Sequence, residues 1–438
     1  TVQRTRLPER PTMKIALLGA GHIGQTIARL LHTSGDYQVS VLDKNAQYLK
    51  VLENEGITTV RVDSEDAGAL GAALRGKDAV INALPYHLAI TAAQLALENG
   101  CHYFDLTEDV TATKTIKAMA SDAKTAFMPQ CGLAPGFIGI VAHHLASGFD
   151  SVQDVQMRVG ALPAFPTNSL KYNLTWSVDG LINEYCHPCE AIHGGESISA
   201  LPLEGLEHFS LDGVEYEAFN TSGGLGTLCE TWAGQVRNLD YKTVRYPGHR
   251  DLMQFLLGDL GLAADQENLK AIMRKSMPAT MQDVVLVFVT VSGQKNGVLL
   301  QEVFARKIFA ERDAKAPLSA IQITTAAGIC AAVDLFREGK LPKAGFIRQE
   351  EVRLPDFLAN RFGKAYQQLR QVESIALRPN PPNQFTRCCN AWALRSVSTP
   401  KARSPRARRS MAPRAAASSK PARPMCRWRS AVRTRRSS

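Results

Sequence analysis

Residues 13–43, MKIALLGAGHIGQTIARLLHTSGDYQVSVLD, leave few folds open to this chain. An apolar run from Ile15 to Leu18 leads into Gly19-Ala20-Gly21-His22-Ile23-Gly24. Ile23, Ile27, Leu30 and Leu31 then share one face of a helical period, and a second apolar run ends in Asp43. Strand, glycine turn, helix, strand and acid in this order make the dinucleotide-binding fingerprint in its full context. Gly19 permits the tight turn, Gly21 lets backbone approach a pyrophosphate, and Gly24 lets helix and strand pack closely. The start of the helix, at His22 and Ile23, offers free N–H groups and a partial positive charge to phosphates. Asp43 is placed to accept hydrogen bonds from the adenosine ribose hydroxyls and to repel a 2′-phosphate, which favours NAD over NADP.

The alternation continues after Asp43. Strands read at 60–62, 79–84, 103–106 and 126–128, with helical segments near 45–55, 65–75, 87–99 and 111–124. This spacing implies an α/β fold with a parallel, doubly wound sheet that binds ligands at its strand C-terminal ends. Those ends carry Asp63, Asn82-Ala83-Leu84-Pro85, His87 and Asp105-Leu106-Thr107-Glu108. Asn82 to Pro85 are expected to line the nicotinamide ribose, and Asp63 either bonds the adenine amino group or caps a helix. From about residue 150 the pattern changes: 152–162 alternates, and two apolar runs flank Gln294-Lys295-Asn296-Gly297, a hairpin signal. An α+β domain on a mixed or antiparallel sheet is expected there. Residues 318–338 then return to helical periodicity. The expected organisation is a leader at 1–12, a Rossmann domain at 13–135 and an α+β substrate and dimerisation domain at 136–317. Helices packing back on the first domain follow at 318–375, then a tail at 376–438.

The net charge of +10 suggests nucleic acid until it is located. From Thr386 onward there are 15 Lys and Arg and no acid, leaving 36 basic against 41 acidic residues before it, a net of −5. The tail has no apolar period and is expected to be disordered. Its Arg, Ala, Ser and Pro composition suggests out-of-frame translation of GC-rich DNA more than a nucleic-acid arm. The nine cysteines form no disulfide framework, and Cys186-His187-Pro188-Cys189 has no second metal-ligating pair nearby, so no metal site is expected. With neither a membrane-spanning apolar run nor a signal segment, a soluble cytoplasmic protein is expected, without nucleic-acid or membrane partners.

Beyond the fingerprint, NALPYH at 82–87, YFDL at 103–106, CGLAPGF at 131–137, TSGG at 221–224 and YKTVRYPGH at 241–249 occur in this order. So does GIC…LFREGKLPKAGFIRQEE from 328 to 351. In these segments the chain resembles the saccharopine dehydrogenase-like family, its reductase-type branch, and within that the lysine 6-dehydrogenases. The resemblance implies a Rossmann domain joined to a mixed-sheet domain, with an amino-acid substrate in the cleft between them. It implies NAD-dependent oxidation of the side-chain amine of L-lysine. The product is 2-aminoadipate 6-semialdehyde, which cyclises to a piperideine carboxylate, with release of ammonia. Saccharopine-forming relatives carry an acid in the CGLxPG turn where this chain has Ala134, which weighs against their reaction.

Arg245 is the candidate anchor for the substrate α-carboxylate, because a guanidinium forms the bidentate, charge-assisted pair that group needs. Tyr172, Asn173, Ser222, Thr243 and His249 are candidate neighbours of the amino-acid head. Asp105 and His87 are the candidate proton acceptors, with His249 and Lys242 in reserve, and Cys131 is read as a buried small residue. The alternatives are a saccharopine-type or carboxy-polyamine reductase, and a nucleotide-binding protein without turnover. Relatives are often dimers or tetramers, so a homo-oligomer is expected.

Overall fold

The computed structural model describes residues 12–311 and 317–367. Most of the expected leader and all of the basic tail, with Cys388, Cys389 and Cys426, lie outside them. The first half alternates as β1 (Met13–Leu18), α1 (His22–Ser34), β2 (Tyr37–Asp43), α2 (Ala46–Glu53), β3 (Thr58–Arg61) and α3 (Ala67–Leu74). It continues with β4 (Ala79–Asn82), α4 (Ala89–Glu98), β5 (His102–Asp105), α5 (Val110–Met119), β6 (Ala126–Met128) and α6 (Phe137–Ala146). Apolar strands buried on both faces suit a parallel sheet under helices. Four helix–strand connections turn at Gly35, Gly56, Gly76 and Gly100, all with φ between 66° and 81°.

The second half opens with β7 (Ser151–Pro163), α7 (Val178–Cys186), β8 (Cys189–His193), β9 (Glu196–Ala200), β10 (Glu207–Leu211), β11 (Val214–Asn220) and α8 (Leu228–Thr231). There follow β12 (Val236–Arg245), α9 (His249–Gln254), α10 (Gln266–Ser276), β13 (Asp283–Lys295) and β14 (Val298–Phe309). The chain then returns through α11 (Ala320–Arg337), β15 (Gly345–Phe346) and α12 (Leu354–Ala359). Asn296 and Gly297 join β13 to β14 with φ of 52° and 76°, the two-residue turn whose twist matches paired strands.

Two sheets result. The first runs β15-β6-β5-β4-β1-β2-β3, all parallel, and its order reverses between β1 and β4. The crevice beyond the C-terminal ends of β1 and β4 is where such sheets hold ligands. The second runs β10-β11-β12-β7-β13-β14, with β8 and β9 branching from β12; β12 and β7 are parallel and the other pairs antiparallel. One apolar core holds Ile15, Leu17 and Ile27 of the first half together with Val287, Val289, Ile329 and Phe336 of the second. Helix α11 is long and apolar enough by composition to cross a membrane, yet 89% of it is buried in the fold, and packing accounts for its apolarity. A smaller core joins Tyr172, Leu181, Tyr185, Phe219, Met253 and Met273, fixing α7, α9 and α10 over β11 and β12.

Candidate active site

The glycine turn is explained by three different restraints. Gly19 has a φ of 98°, and a Cβ there would stand 2.8 Å from the Ala83 carbonyl oxygen. A Cβ on Gly24 would stand 2.0 Å from the Gly19 carbonyl oxygen, so this glycine lets α1 close on the turn itself rather than on the strand. Gly21 has an ordinary φ of −65°, and nothing lies within 4 Å of its would-be Cβ. Nothing inside the chain requires glycine at 21; a ligand drawn against the backbone does. The first turn of α1 has no side-chain cap and no acid, so the N–H groups of His22, Ile23 and Gly24 remain available to an anion. These features fit a dinucleotide pyrophosphate.

Asp43 ends β2 beside this turn. Its carboxylate accepts from the backbone N–H of Ala20 (2.6 Å) and of Asn45 (2.7 Å), tying the turn to the next helix. Each oxygen keeps a lone pair for a ribose hydroxyl. Asp63 bonds the Glu65 N–H and pairs with Lys44 (3.6 Å), while the residue capping α3 is Asp66. Its helix-capping alternative is thereby corrected. Asn82 is committed to the fold: its amide donates to the Tyr103 hydroxyl (3.1 Å) and its oxygen accepts from Leu84 N–H (3.1 Å). Ala83, Leu84 and Pro85 follow at the switch point, the first two half-buried and Pro85 exposed.

Asp105 is 0% exposed and fully engaged. Its carboxylate accepts from the N–H groups of Thr107 (3.0 Å) and Gln130 (2.8 Å), and the Tyr103 hydroxyl lies 2.9 Å away. Burial outweighs these bonds and lifts its carboxyl to about 6. This is a buried pin between the ends of β5 and β6, each oxygen of which already has a donor, so the expected role as proton acceptor is corrected. His87 stands exposed on a short 3₁₀ turn and is not brought against Asp105. Cys131 is buried, its thiol pushed up by burial, and it bonds the Met128 carbonyl.

Strand β12 carries the other candidates. Because strand side chains alternate, Tyr241, Thr243 and Arg245 share one face, and Lys242 points the other way to pair with Glu207 (2.8 Å). Lys242 therefore leaves the site. Arg245 is 3% exposed; its Nε donates to the Tyr185 hydroxyl (3.0 Å) and one Nη to the Val244 carbonyl (2.9 Å). Its guanidinium lies 5.1 Å from the centre of the Tyr172 ring. Among the described residues no carboxylate comes within ion-pair distance of it. His249 is 0% exposed, and burial lowers its pKa to about 3, so it stays neutral. With Nδ1 donating to the Leu170 carbonyl (2.9 Å), Nε2 must accept from Tyr185 (3.1 Å). His249 is thus a positioning residue for Arg245 through Tyr185, and its reserve role as a base is withdrawn.

The remaining candidates divide. Thr243 accepts from the Thr221 hydroxyl (3.0 Å), and Ser222 donates to the Pro188 carbonyl (2.9 Å), both holding turns. Asn173 donates to Thr167 (3.2 Å), but its Oδ1 is buried without a partner. Sequence reasoning missed two acids. Glu108 lies just beyond Asp105, and Glu184 sits on α7. A Cβ on Gly223 would stand 2.2 Å from the Glu108 carbonyl oxygen, so the TSGG turn exists to let the two halves touch there. The signal for Glu184 was an acid inside the apolar run of Val178, Leu181, Ile182 and Tyr185. A cavity of about 620 Å³ opens between α5 and β8; Asn183 and Ser222 line it, and the glycine turn contributes none of its walls.

Residues 15–128 match the saccharopine dehydrogenase NADP binding domain, and residues 132–364 match the saccharopine dehydrogenase C-terminal domain. The chain belongs to the saccharopine dehydrogenase family. That family is one of NAD(P)-dependent oxidoreductases, and its two domains meet here at the turn carrying Cys131. The saccharopine dehydrogenase (NADP(+), L-glutamate-forming) of Pyricularia oryzae is 24% identical over 271 residues, 58% of this chain and 59% of that protein. The mitochondrial alpha-aminoadipic semialdehyde synthase of Bos taurus is 19% identical over 314 residues, 67% of this chain and 33% of that protein. The chain thus spans well under two thirds of these relatives. Apo saccharopine dehydrogenase (L-Glu forming) from Saccharomyces cerevisiae shares the fold, with a TM-score of 0.67 at 15% identity, over 79% of this chain and 96% of that one.

Proposed function

We propose that this saccharopine dehydrogenase family member is an NAD-dependent oxidoreductase acting on the side-chain amine of L-lysine. It releases ammonia and 2-aminoadipate 6-semialdehyde, which cyclises to a piperideine carboxylate. The observation that carries the reading is Arg245 at the end of β12, a buried cation with no carboxylate within ion-pair distance among the described residues. A charge in that position is expensive to leave unpaired, and a substrate carboxylate relieves it. Tyr185 and the neutral His249 hold the guanidinium in place, so one amino-acid carboxylate is fixed at one end of the cleft. The backbone from Asn82 to Pro85 and the glycine turn hold the other end. NAD, when bound there, supplies the hydride acceptor. The substrate ammonium gives up one proton to a cleft carboxylate before its carbon can lose hydride, and water then replaces nitrogen at that carbon.

A second reading, oxidation of saccharopine with NADP, is favoured by the names of the relatives. Saccharopine brings three carboxylates, and the described residues offer this cleft one buried cation and, at 134, an alanine. The deciding experiment follows reduced cofactor with lysine or saccharopine and with NAD or NADP. Lysine turnover with ammonia release supports the proposal, and turnover of saccharopine alone overturns it. Arg245→Ala is expected to raise the Michaelis constant of the preferred substrate roughly 10–100-fold.

A further inference from the structure

Glu184 is 7% exposed, and none of the described hydrogen bonds ends on its carboxylate. It precedes Tyr185, whose hydroxyl accepts from Arg245 (3.0 Å), and lies one helical turn on from Gly180, which packs against Glu108. Glu108, across the seam from α7, keeps a narrow opening to solvent although protein atoms surround it closely. Beside Glu184 on the same helix, the Oδ1 of Asn183 is buried without a donor. Gly180 contributes by size, since its would-be Cβ would stand 3.1 Å from Glu108 Oε1. Burial lifts the Glu108 carboxyl to about 7. Burial, with the charge of Glu108 added, lifts that of Glu184 well above its ordinary value.

We infer that Glu184 and Glu108 form the ammonium-holding side of the substrate cleft, Glu184 taking the α-ammonium beside Arg245 and Glu108 the distal amine. This deepens the amino-acid reading above and rests on it. One buried cation, one buried carboxylate and a second, half-buried one match a ligand with one carboxylate and two amines. A carboxylate without donors in a crowded site is costly, and a cation that brings its own N–H groups repairs both deficits. Asn183 adds an acceptor of the same kind. The two acids are specificity-determining residues, distinct from the anchor already described.

The test uses calorimetric binding of four ligands to the full chain with NADH, which leaves lysine bound but unoxidised: L-norleucine, hexanoate, L-lysine and 6-aminohexanoate. Norleucine and hexanoate differ only in the α-amino group and carry no oxidisable side-chain amine. Glu184→Gln is expected to weaken norleucine at least tenfold and to leave hexanoate within twofold. Glu108→Gln is expected to weaken lysine tenfold while sparing norleucine. Equal weakening of all four ligands marks a structural role and overturns the inference. So does wild-type protein that binds norleucine no better than hexanoate. If Glu184→Gln shows the expected selectivity while wild-type protein neither prefers nor oxidises lysine, the α-amino subsite stands and the lysine reading and the Glu108 assignment fall.

Discussion

Asp43 carries two duties at one position. Its oxygens hold the N–H groups of Ala20 and Asn45, and the same carboxylate faces the ribose side of the glycine turn. In the parallel register Asp43 stands beside Arg61, an exposed cation at the end of β3. Asp43→Ser should therefore shift kcat/KM toward NADP by tenfold or more, because the repulsion is gone and Arg61 can meet the 2′-phosphate. It should also cost about 1 kcal/mol of stability through the lost backbone anchors. An unchanged cofactor ratio removes Asp43 from the ribose. Residues were legible in the sequence to the extent that a backbone rule fixed them. Gly19, Gly21, Gly24 and Asp43 obey such a rule, as does the alternation that puts Arg245 on the cleft face. Asp105 was placed correctly at a strand end but misread in role, because saturation by Thr107, Gln130 and Tyr103 depends on a neighbouring strand. Glu184 was missed because its cleft partner, Glu108, is 76 residues earlier in the chain.

At the scale of elements, β6 and β14 follow the apolar runs to the residue, and β1 to β5 within a few positions. Glycine turns precede β2 to β5 and help to mark them. Strands β8 to β10 escaped because they are five residues each, too short for a period to stand out, and β11 because its buried half, Tyr216–Phe219, does not alternate. β15 escaped because two residues carry no period at all. Helix α11 was legible from its periodicity and begins with a capping box between Ser319 and Gln322. What the sequence did not reveal is how it is fastened. Asp334 receives the Tyr37 hydroxyl (2.6 Å), Arg361 (2.7 Å) and Asn360 (2.8 Å). Burial acts to raise the Asp334 carboxyl, but the bonds from Arg361, Tyr37 and Asn360 prevail and hold it below the ordinary carboxylate range. Its stabilising effect is present above the unfolded carboxyl range and is lost as pH falls through the depressed value. Asp334→Asn should lower unfolding free energy by about 2–4 kcal/mol at neutral pH. The difference from wild type should shrink in strong acid, as followed by chemical denaturation.

For the molecule as a whole, the titrations run in opposite directions. Asp105, near 6, and Glu108, near 7, bind protons more readily folded than unfolded. Their favourable contribution is complete below the unfolded carboxyl range and declines as pH rises toward 7, the reverse of Asp334. Wild-type protein should therefore lose stability from pH 5 to pH 7 relative to Glu108→Gln, by about 1–3 kcal/mol. Parallel stability curves for the two proteins would contradict this. If Glu108 holds the distal amine as inferred above, it gains a partner when that cation enters, so lysine should raise the melting temperature more at pH 7 than at pH 5. The shared core has a different consequence. Because α1, α11, the parallel sheet and the inner face of the mixed sheet bury one continuous apolar mass, the two cleft walls cannot swing apart as rigid bodies without exposing it. Helices α7, α9 and α10 pack on a smaller core of their own, apart from that shared mass, so the same restraint does not reach them.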